Sequence, residues 1–317
     1  MKKKIIVTAF SNLTTDQRIE KVCKTLHDNG YVIELIGCNY GCNQEVKREY
    51  TVEKINLISK SLKTAYFEFN WKLYQKLLNK SFENTVLLTN DLDTLLPNFL
   101  LSKKKKIPLV FDSHEIFTEM PAIQGKISQK IWRFAENKML PHIEFMMTES
   151  ESYAKWFHEK YNVTPVVVRN IPKKLPLQEK TLTQNPKIIL YQGAINPSRG
   201  IDKAILAMKF IENANLIIVG DGPMRKKYEA FAVSNHLAHK VQFLGKKRPS
   251  ELRTITQKAN VGISLEENNG VSYYYSLPNK VADYIQARVP LVMINFPEMI
   301  KIKSKYNVGE VIADHHP

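Results

Sequence analysis

The sequence predicts an α/β chain of two Rossmann-like units, each a parallel sheet covered by helices, and three observations carry that prediction. The chain has 317 residues, enough for two domains of ordinary size, each with a core of its own. Short apolar runs alternate with amphipathic stretches along nearly its whole length, the order that builds parallel sheets sheathed by helices. A stretch rich in Pro, Lys, Gln and Thr, residues 173–186, has no apolar face and divides the alternation in two, as an interdomain linker does. The expected division is therefore a first domain over 1–172, a linker over 173–186 and a second domain over 187–317.

The first series opens with the strand Ile5-Ile6-Val7 and a polar turn. An amphipathic helix follows, with Ile19, Val22 and Leu26 on one face and Thr14, Thr15 and Asp16 as candidate caps. Gly30 stops that helix, and Tyr31 to Ile36 form the next strand. Apolar runs recur at Thr85–Leu88, Leu109–Phe111, Phe145–Thr148 and Val166–Val168. The second series has strands at Ile188–Tyr191, Leu216–Val219, Val241–Leu244, Val261–Leu265 and Leu291–Ile294. Ligands of open parallel sheets bind beyond the carboxyl ends of the strands. Polar residues collect there, at Asp112–Glu115, Gln192–Arg199, Asp221 and Glu266-Glu267.

Composition narrows the classes. With 44% apolar and 24% charged residues the chain is globular rather than disordered. The apolar run after Met1-Lys2-Lys3-Lys4 is too short for a signal peptide, and no run approaches a membrane span, so a cytoplasmic protein is expected. Cys23, Cys38 and Cys42 are not spaced as a zinc site and read as reduced thiols. A formal charge of +15 favours anionic partners: nucleotides, phospholipid headgroups or nucleic acid. Lys103 to Lys106 form the densest basic run, read either as a solvated helix end or as a contact with the inner membrane face.

Three segments of the second series carry candidate chemistry. Gly220-Asp221-Gly222-Pro223 turns a strand into a helix, Gly allowing the tight turn and Pro suiting the first helical position. Gln192 to Gly200 places Arg199 at a helix start, where a cation beside exposed N–H groups suits a diphosphate. Ser276-Leu277-Pro278-Asn279-Lys280 opens a helix with Lys280 and Asp283 one turn apart, read as a local salt bridge or as a phosphate-facing cation and a ribose-facing carboxylate.

These segments, in this order, resemble the donor half of glycosyltransferase family four, the retaining enzymes of two facing Rossmann-like domains termed GT-B. Phe243-Leu244-Gly245, Thr15-Asp16-Gln17-Arg18-Ile19-Glu20-Lys21, Asp112-Ser113-His114-Glu115 and Arg169-Asn170-Ile171-Pro172 extend the resemblance over nearly the whole chain. The resemblance implies that Arg199 contacts the donor diphosphate, with Lys280 supplying a second charge, and that Asp283 binds the ribose. Backbone amides around Ser276, Leu277 and Pro278 would meet sugar and phosphate, Asp221 and Gly222 would border the donor, and the base would pack near Lys246 and Lys247. His114 would contact the transferred sugar as a positioning residue, with Arg18, Asp112 and Glu115 in the same cleft. Ala194 and Tyr275 stand where the family carries a basic residue and an acid, the loop Phe10–Thr14 has no glycine, and the chain ends early relative to the family.

The implied reaction is transfer from a nucleotide sugar to a glycan or lipid-linked acceptor with retention, the departing phosphate taking the acceptor proton, without cofactor or obligatory metal. Asn90-Asp91-Leu92-Asp93 resembles an Asp-x-Asp metal site, but its place after a strand suits a helix cap or acceptor contact. A nicotinamide enzyme is disfavoured because neither half has Gly-x-Gly-x-x-Gly. A sugar-nucleotide epimerase and a non-catalytic nucleotide-sugar-binding protein remain as alternatives, while nucleic-acid binding rests on charge alone.

Overall fold

A computed structural model describes residues 3–14, 16–42, 44–174, 176 and 185–316. The chain divides into two compact units, Met1–Arg169 and Asn170–Pro317. Thr15 and most of the expected linker lie outside the described residues.

The first unit runs β1 (Lys4–Thr8), α1 (Gln17–Asp28), β2 (Val32–Cys38), β3 (Thr51–Ile55), α2 (Leu62–Leu78), β4 (Thr85–Asn90), α3 (Leu92–Lys105), β5 (Leu109–Ser113), α4 (Ile127–Met139), β6 (Phe145–Thr148), α5 (Glu151–Tyr161) and β7 (Val166–Val167). Asp16 caps α1 by accepting from the Ile19 N–H, and Gly30 turns the chain at φ +88°. The α3 helix tolerates Pro97 in its interior because the missing N–H is replaced: the Asn70 side-chain amide of α2 donates to the Asp93 carbonyl at 2.7 Å.

The second unit runs β8 (Lys187–Gln192), α6 (Ile201–Ala207), β9 (Ala214–Val219), α7 (Arg225–Ser234), β10 (Val241–Gly245), α8 (Pro249–Lys258), β11 (Val261–Ser264), α9 (Val271–Tyr274), α10 (Asn279–Gln286), β12 (Leu291–Ile294), α11 (Pro297–Lys305) and β13 (Gly309–Ile312). Successive residues of its strands serve opposite faces of the sheet. Tyr191, Leu216 and Ile218 enter one buried cluster, Leu190 and Val219 the other. Both faces are apolar because helices cover both, which is why the strands read as continuous hydrophobic runs.

All strand pairs are parallel. The order is β3-β2-β1-β4-β5-β6-β7 in one sheet and β10-β9-β8-β11-β12-β13 in the other. Each order reverses direction once, between β1 and β4 and between β8 and β11, the kind of switch point at which open parallel sheets bind their ligands. Both clusters of buried charge described next stand at these switch points.

Candidate functional site

In the second unit the switch point is organised by Glu266, which follows β11 and is fully buried. The Ser264 hydroxyl donates to one of its oxygens at 2.7 Å. Lys280 Nζ, from the first turn of α10, lies 2.7 Å from the other, and Arg199 Nη1, from the loop after β8, lies 3.7 Å from it. One carboxylate thus faces two cations and leaves the cluster with an excess of positive charge. Burial works against ionisation of Glu266, but Lys280 and Arg199 outweigh it and hold the carboxyl below its ordinary range. Burial also draws the Lys280 ammonium below its usual value, against the pull of Glu266.

Aromatic faces complete the cluster: Lys280 Nζ sits 4.2 Å from the Tyr191 ring centre and the Arg199 guanidinium 4.4 Å from that of Tyr273. One turn beyond Lys280, Asp283 accepts from the Gln192 side-chain amide at 3.0 Å. The Gln192 carbonyl oxygen accepts from Thr256 at 2.7 Å, so Asp283 is oriented by a chain that starts on α8. Lys280 and Asp283 therefore engage different partners, Glu266 and Gln192, rather than forming only the local bridge their spacing allows.

The glycines of Gly220-Asp221-Gly222 let two loops touch backbone to backbone. A Cβ on Gly220, at φ +148°, would lie 1.8 Å from the Gly193 carbonyl oxygen, and one on Gly222 would lie 2.5 Å from that of Ile195. The contact is sealed by Gly193 N–H to Val219 O at 3.0 Å and Ile195 N–H to Asp221 O at 2.9 Å. Asp221 is exposed and accepts from the Gly222 N–H, and Lys246 is exposed. Ser276 and Pro278 are half-buried ahead of α10, whereas Leu277 packs into the core against the β12 face of the sheet.

The first unit carries a second cluster, at its own switch point. His114, after β5, is bound on three sides. Its N–H donates to Asp91 Oδ1 at 2.8 Å, its Nδ1 lies 3.2 Å from Asp91 Oδ2, and its Nε2 lies 3.4 Å from Asp112 Oδ2 and 3.1 Å from Asn90 Oδ1. Burial opposes the charge, but Asp91 and Asp112 together outweigh it and raise the imidazolium to about 9. The ring is thus a protonated hydrogen-bond donor at neutral pH. Glu149, after β6, sits in the same field, and burial pushes its carboxyl up to about 8. The sequence offered no signal for Glu149 beyond its place at the end of an apolar run.

Two expectations change here. Arg18 does not stand open in a cleft: its guanidinium is buried, forked onto Asp112 at 3.0 and 2.5 Å and donating to the Val168 carbonyl at 2.6 Å. Arg18 and Asp112 form a buried ion pair in which the guanidinium fork matches the carboxylate. Asp91 holds the position before α3 but makes no cap; at φ +58° it turns its carboxylate to His114 instead. Asp93 is buried, and crowding by burial and by Asp91 raises its carboxyl well above the usual range. Among the described residues no three His, Cys, Asp or Glu side chains converge as a metal site. Glu115 is half-buried beside His114 in sequence, its carbonyl accepting from Ser113.

Residues 174–317 match the family model described as "Glycosyl transferases group 1". An uncharacterized glycosyltransferase of Methanocaldococcus jannaschii is 38% identical over 71 residues, 22% of this chain and 20% of that protein, so the match spans about a fifth of that curated relative. Among solved structures, a sucrose-phosphate synthase from Thermosynechococcus elongatus superposes with a TM-score of 0.81 at 15% identity, covering 99% of this chain and 87% of that one. Anabaena HepE in complex with UDP-glucose superposes at 0.70 and 14% identity, covering 98% and 85%. WaaG, a glycosyltransferase involved in lipopolysaccharide biosynthesis, does so at 0.70 and 12%, covering 98% and 85%. The second unit is thus a domain of the glycosyl transferases group 1 family, and the chain with its two parallel sheets is similar throughout to glycosyltransferases of the GT-B type fold.

Proposed function

We propose that the protein is a retaining glycosyltransferase that moves a sugar, a hexose in our reading, from a nucleotide sugar to a glycan or lipid-linked acceptor. The observation that carries this reading is the buried Glu266–Lys280–Arg199 cluster at the switch point of the family-matched unit. A sugar–phosphate bond breaks with charge building on the departing diphosphate, and two cations held against one carboxylate supply a fixed field of the right sign. Asp283, oriented by Gln192, is the ribose acceptor in this reading, with Ser276, Leu277, Pro278, Asp221, Gly222 and Lys246 bordering the donor.

The acceptor hydroxyl bonds to the anomeric carbon as the carbon–phosphate-oxygen bond breaks, and its proton passes to the departing phosphate oxygen. His114, protonated at neutral pH and held by Asp91, Asn90 and Asp112, is a positioning residue for the transferred sugar in this reading and is not a base. The structures of HepE hold UDP and UDP-glucose, which makes a uridine donor the first to try. No cofactor and no nucleic acid beyond the nucleotide enters the scheme. In this reading the protein is cytoplasmic, with peripheral contact at the inner membrane face in polysaccharide or glycolipid biosynthesis. No helix among the described residues is long and apolar enough to cross a membrane.

The test is calorimetric binding and nucleotide release across UDP-, GDP- and ADP-sugars, for the wild type, Arg199→Ala and Asp283→Ala. Each substitution removes a charge-assisted hydrogen bond and lowers affinity roughly tenfold to a hundredfold. Unchanged affinity in both variants ends the site assignment. Binding without release in the presence of candidate acceptors favours a non-catalytic nucleotide-sugar-binding protein, the reading that Ala194 and Tyr275 suggest; interconverted donors without transfer favour an epimerase.

A further inference from the structure

In α4 Trp132 and Met139 face inward, but three further apolar residues face the wrong way for a helix that only serves a core. Ile127, Ile131 and Phe134 are 78, 63 and 64% exposed, and their i, i+4, i+7 spacing lines them along one outer stripe. The opposite face buries Gln129, Glu136 and Met139. The neighbouring α3, which packs against α4, adds Leu96 and Leu100, about half exposed and one turn apart. Scattered exposed apolar residues are ordinary; a stripe of three on one helix, with two more on a helix packed against it, is not.

The charges around the stripe are of one sign. Lys103 to Lys106 close α3, and Lys126, Lys130 and Lys138 flank α4, all of them exposed. The carboxylates of the two helices, Asp93 and Glu136, are both buried. Lys138 Nζ stands 5.8 Å from the Phe134 ring centre and Lys103 Nζ 5.5 Å from that of Phe99, so ammonium groups ride beside apolar rings. Nucleic acid would be served by the lysines alone. Ring and aliphatic side chains beside ammonium groups fit a headgroup layer, where the apolar part reaches the acyl boundary and the charges meet phosphate.

We propose that the outer face of α3 and α4 docks the protein on a bilayer of anionic phospholipid. The proposal rests on the reading of peripheral membrane contact above and assigns the surface that makes it. The full chain is sedimented with vesicles of phosphatidylcholine alone and of phosphatidylcholine with phosphatidylserine, alongside the double variants Lys130→Gln/Lys138→Gln and Ile131→Ser/Phe134→Ser. The wild type is expected on the anionic vesicles, and each double variant to lose roughly tenfold or more of that partitioning. Both variants are exposed-site changes, and thermal melting matched to the wild type certifies their fold. Equal binding to neutral vesicles, or partitioning that neither variant reduces, overturns the proposal. So does retention on DNA, or self-association abolished by Ile131→Ser/Phe134→Ser, in place of vesicle binding. Nucleotide-sugar affinity measured on the same variants stays at the wild-type value, so a failure of docking is told apart from a failure of the donor site.

Discussion

Replacing His114 by Gln tests the charge cluster of the first unit most directly. The imidazolium is held by Asp91 and Asp112 at about 9, against an ordinary 6.5, with Arg18, Asp93 and Glu149 also facing it. A histidine so placed binds its proton more tightly folded than unfolded, by about 3 kcal/mol. Because the folded value is raised, that stabilisation is fully present below 6.5 and is lost as pH rises through about 9. The partner Glu149, raised to about 8, loses stability in the same direction, so the wild-type curve alone does not isolate His114. The difference between wild type and His114→Gln does. Trp71, Trp132 and Trp156 all lie in the first unit and are the chain's three tryptophans, so urea unfolding followed by tryptophan fluorescence reports that unit alone. The variant is expected to be about 3 kcal/mol less stable at about pH 6 and nearly equal to the wild type at about pH 10. A difference that stays constant across that range refutes the proposed charge state of His114.

Asp112→Asn leaves the Arg18 guanidinium buried without its counter-charge and is expected to destabilise the first unit by about 3–5 kcal/mol, while Arg18→Met/Asp112→Leu recovers much of the loss. A double variant no better than Asp112→Asn in the same fluorescence assay counts against the structural reading of that pair. Gly220→Ala drives a methyl to 1.8 Å from the Gly193 carbonyl oxygen at a φ that side chains avoid, and is expected to cost the second unit about 3 kcal/mol or more in a far-ultraviolet melt. A melt matching the wild type would show that the two loops separate easily.

Much of the architecture was legible because local patterns coincide with the final packing. The strands with long apolar runs, the cap at Asp16 and the stop at Gly30 all follow from residues within one turn or one strand of each other. The strands that escaped notice, Thr51–Ile55 and Gly309–Ile312, are edge strands. Each pairs on one side only and is half-buried, so it carries Glu53, Lys54 or Glu310 in place of a continuous apolar run. Arg199, Lys280 and Asp283 could be picked out because each stands where a strand or turn opens onto a helix. Glu266 could be placed after a strand but not identified as the hub, since its partners Arg199 and Lys280 lie 67 residues before it and 14 after it.

By itself the sequence determined two alternating α/β series, the positions of their strand-end loops, and the cations and carboxylates that those loops carry. These depend on hydrophobic periodicity and backbone preference, which act over a few residues. Only the tertiary structure decided which charges meet: Arg18 with Asp112 in the interior, Asp91 with His114 rather than with a helix end, Lys280 with Glu266 rather than only with its helical neighbour. Those pairings depend on distance and desolvation across a sheet, and the chain acquires both only when parallel strands bring remote loops to one switch point.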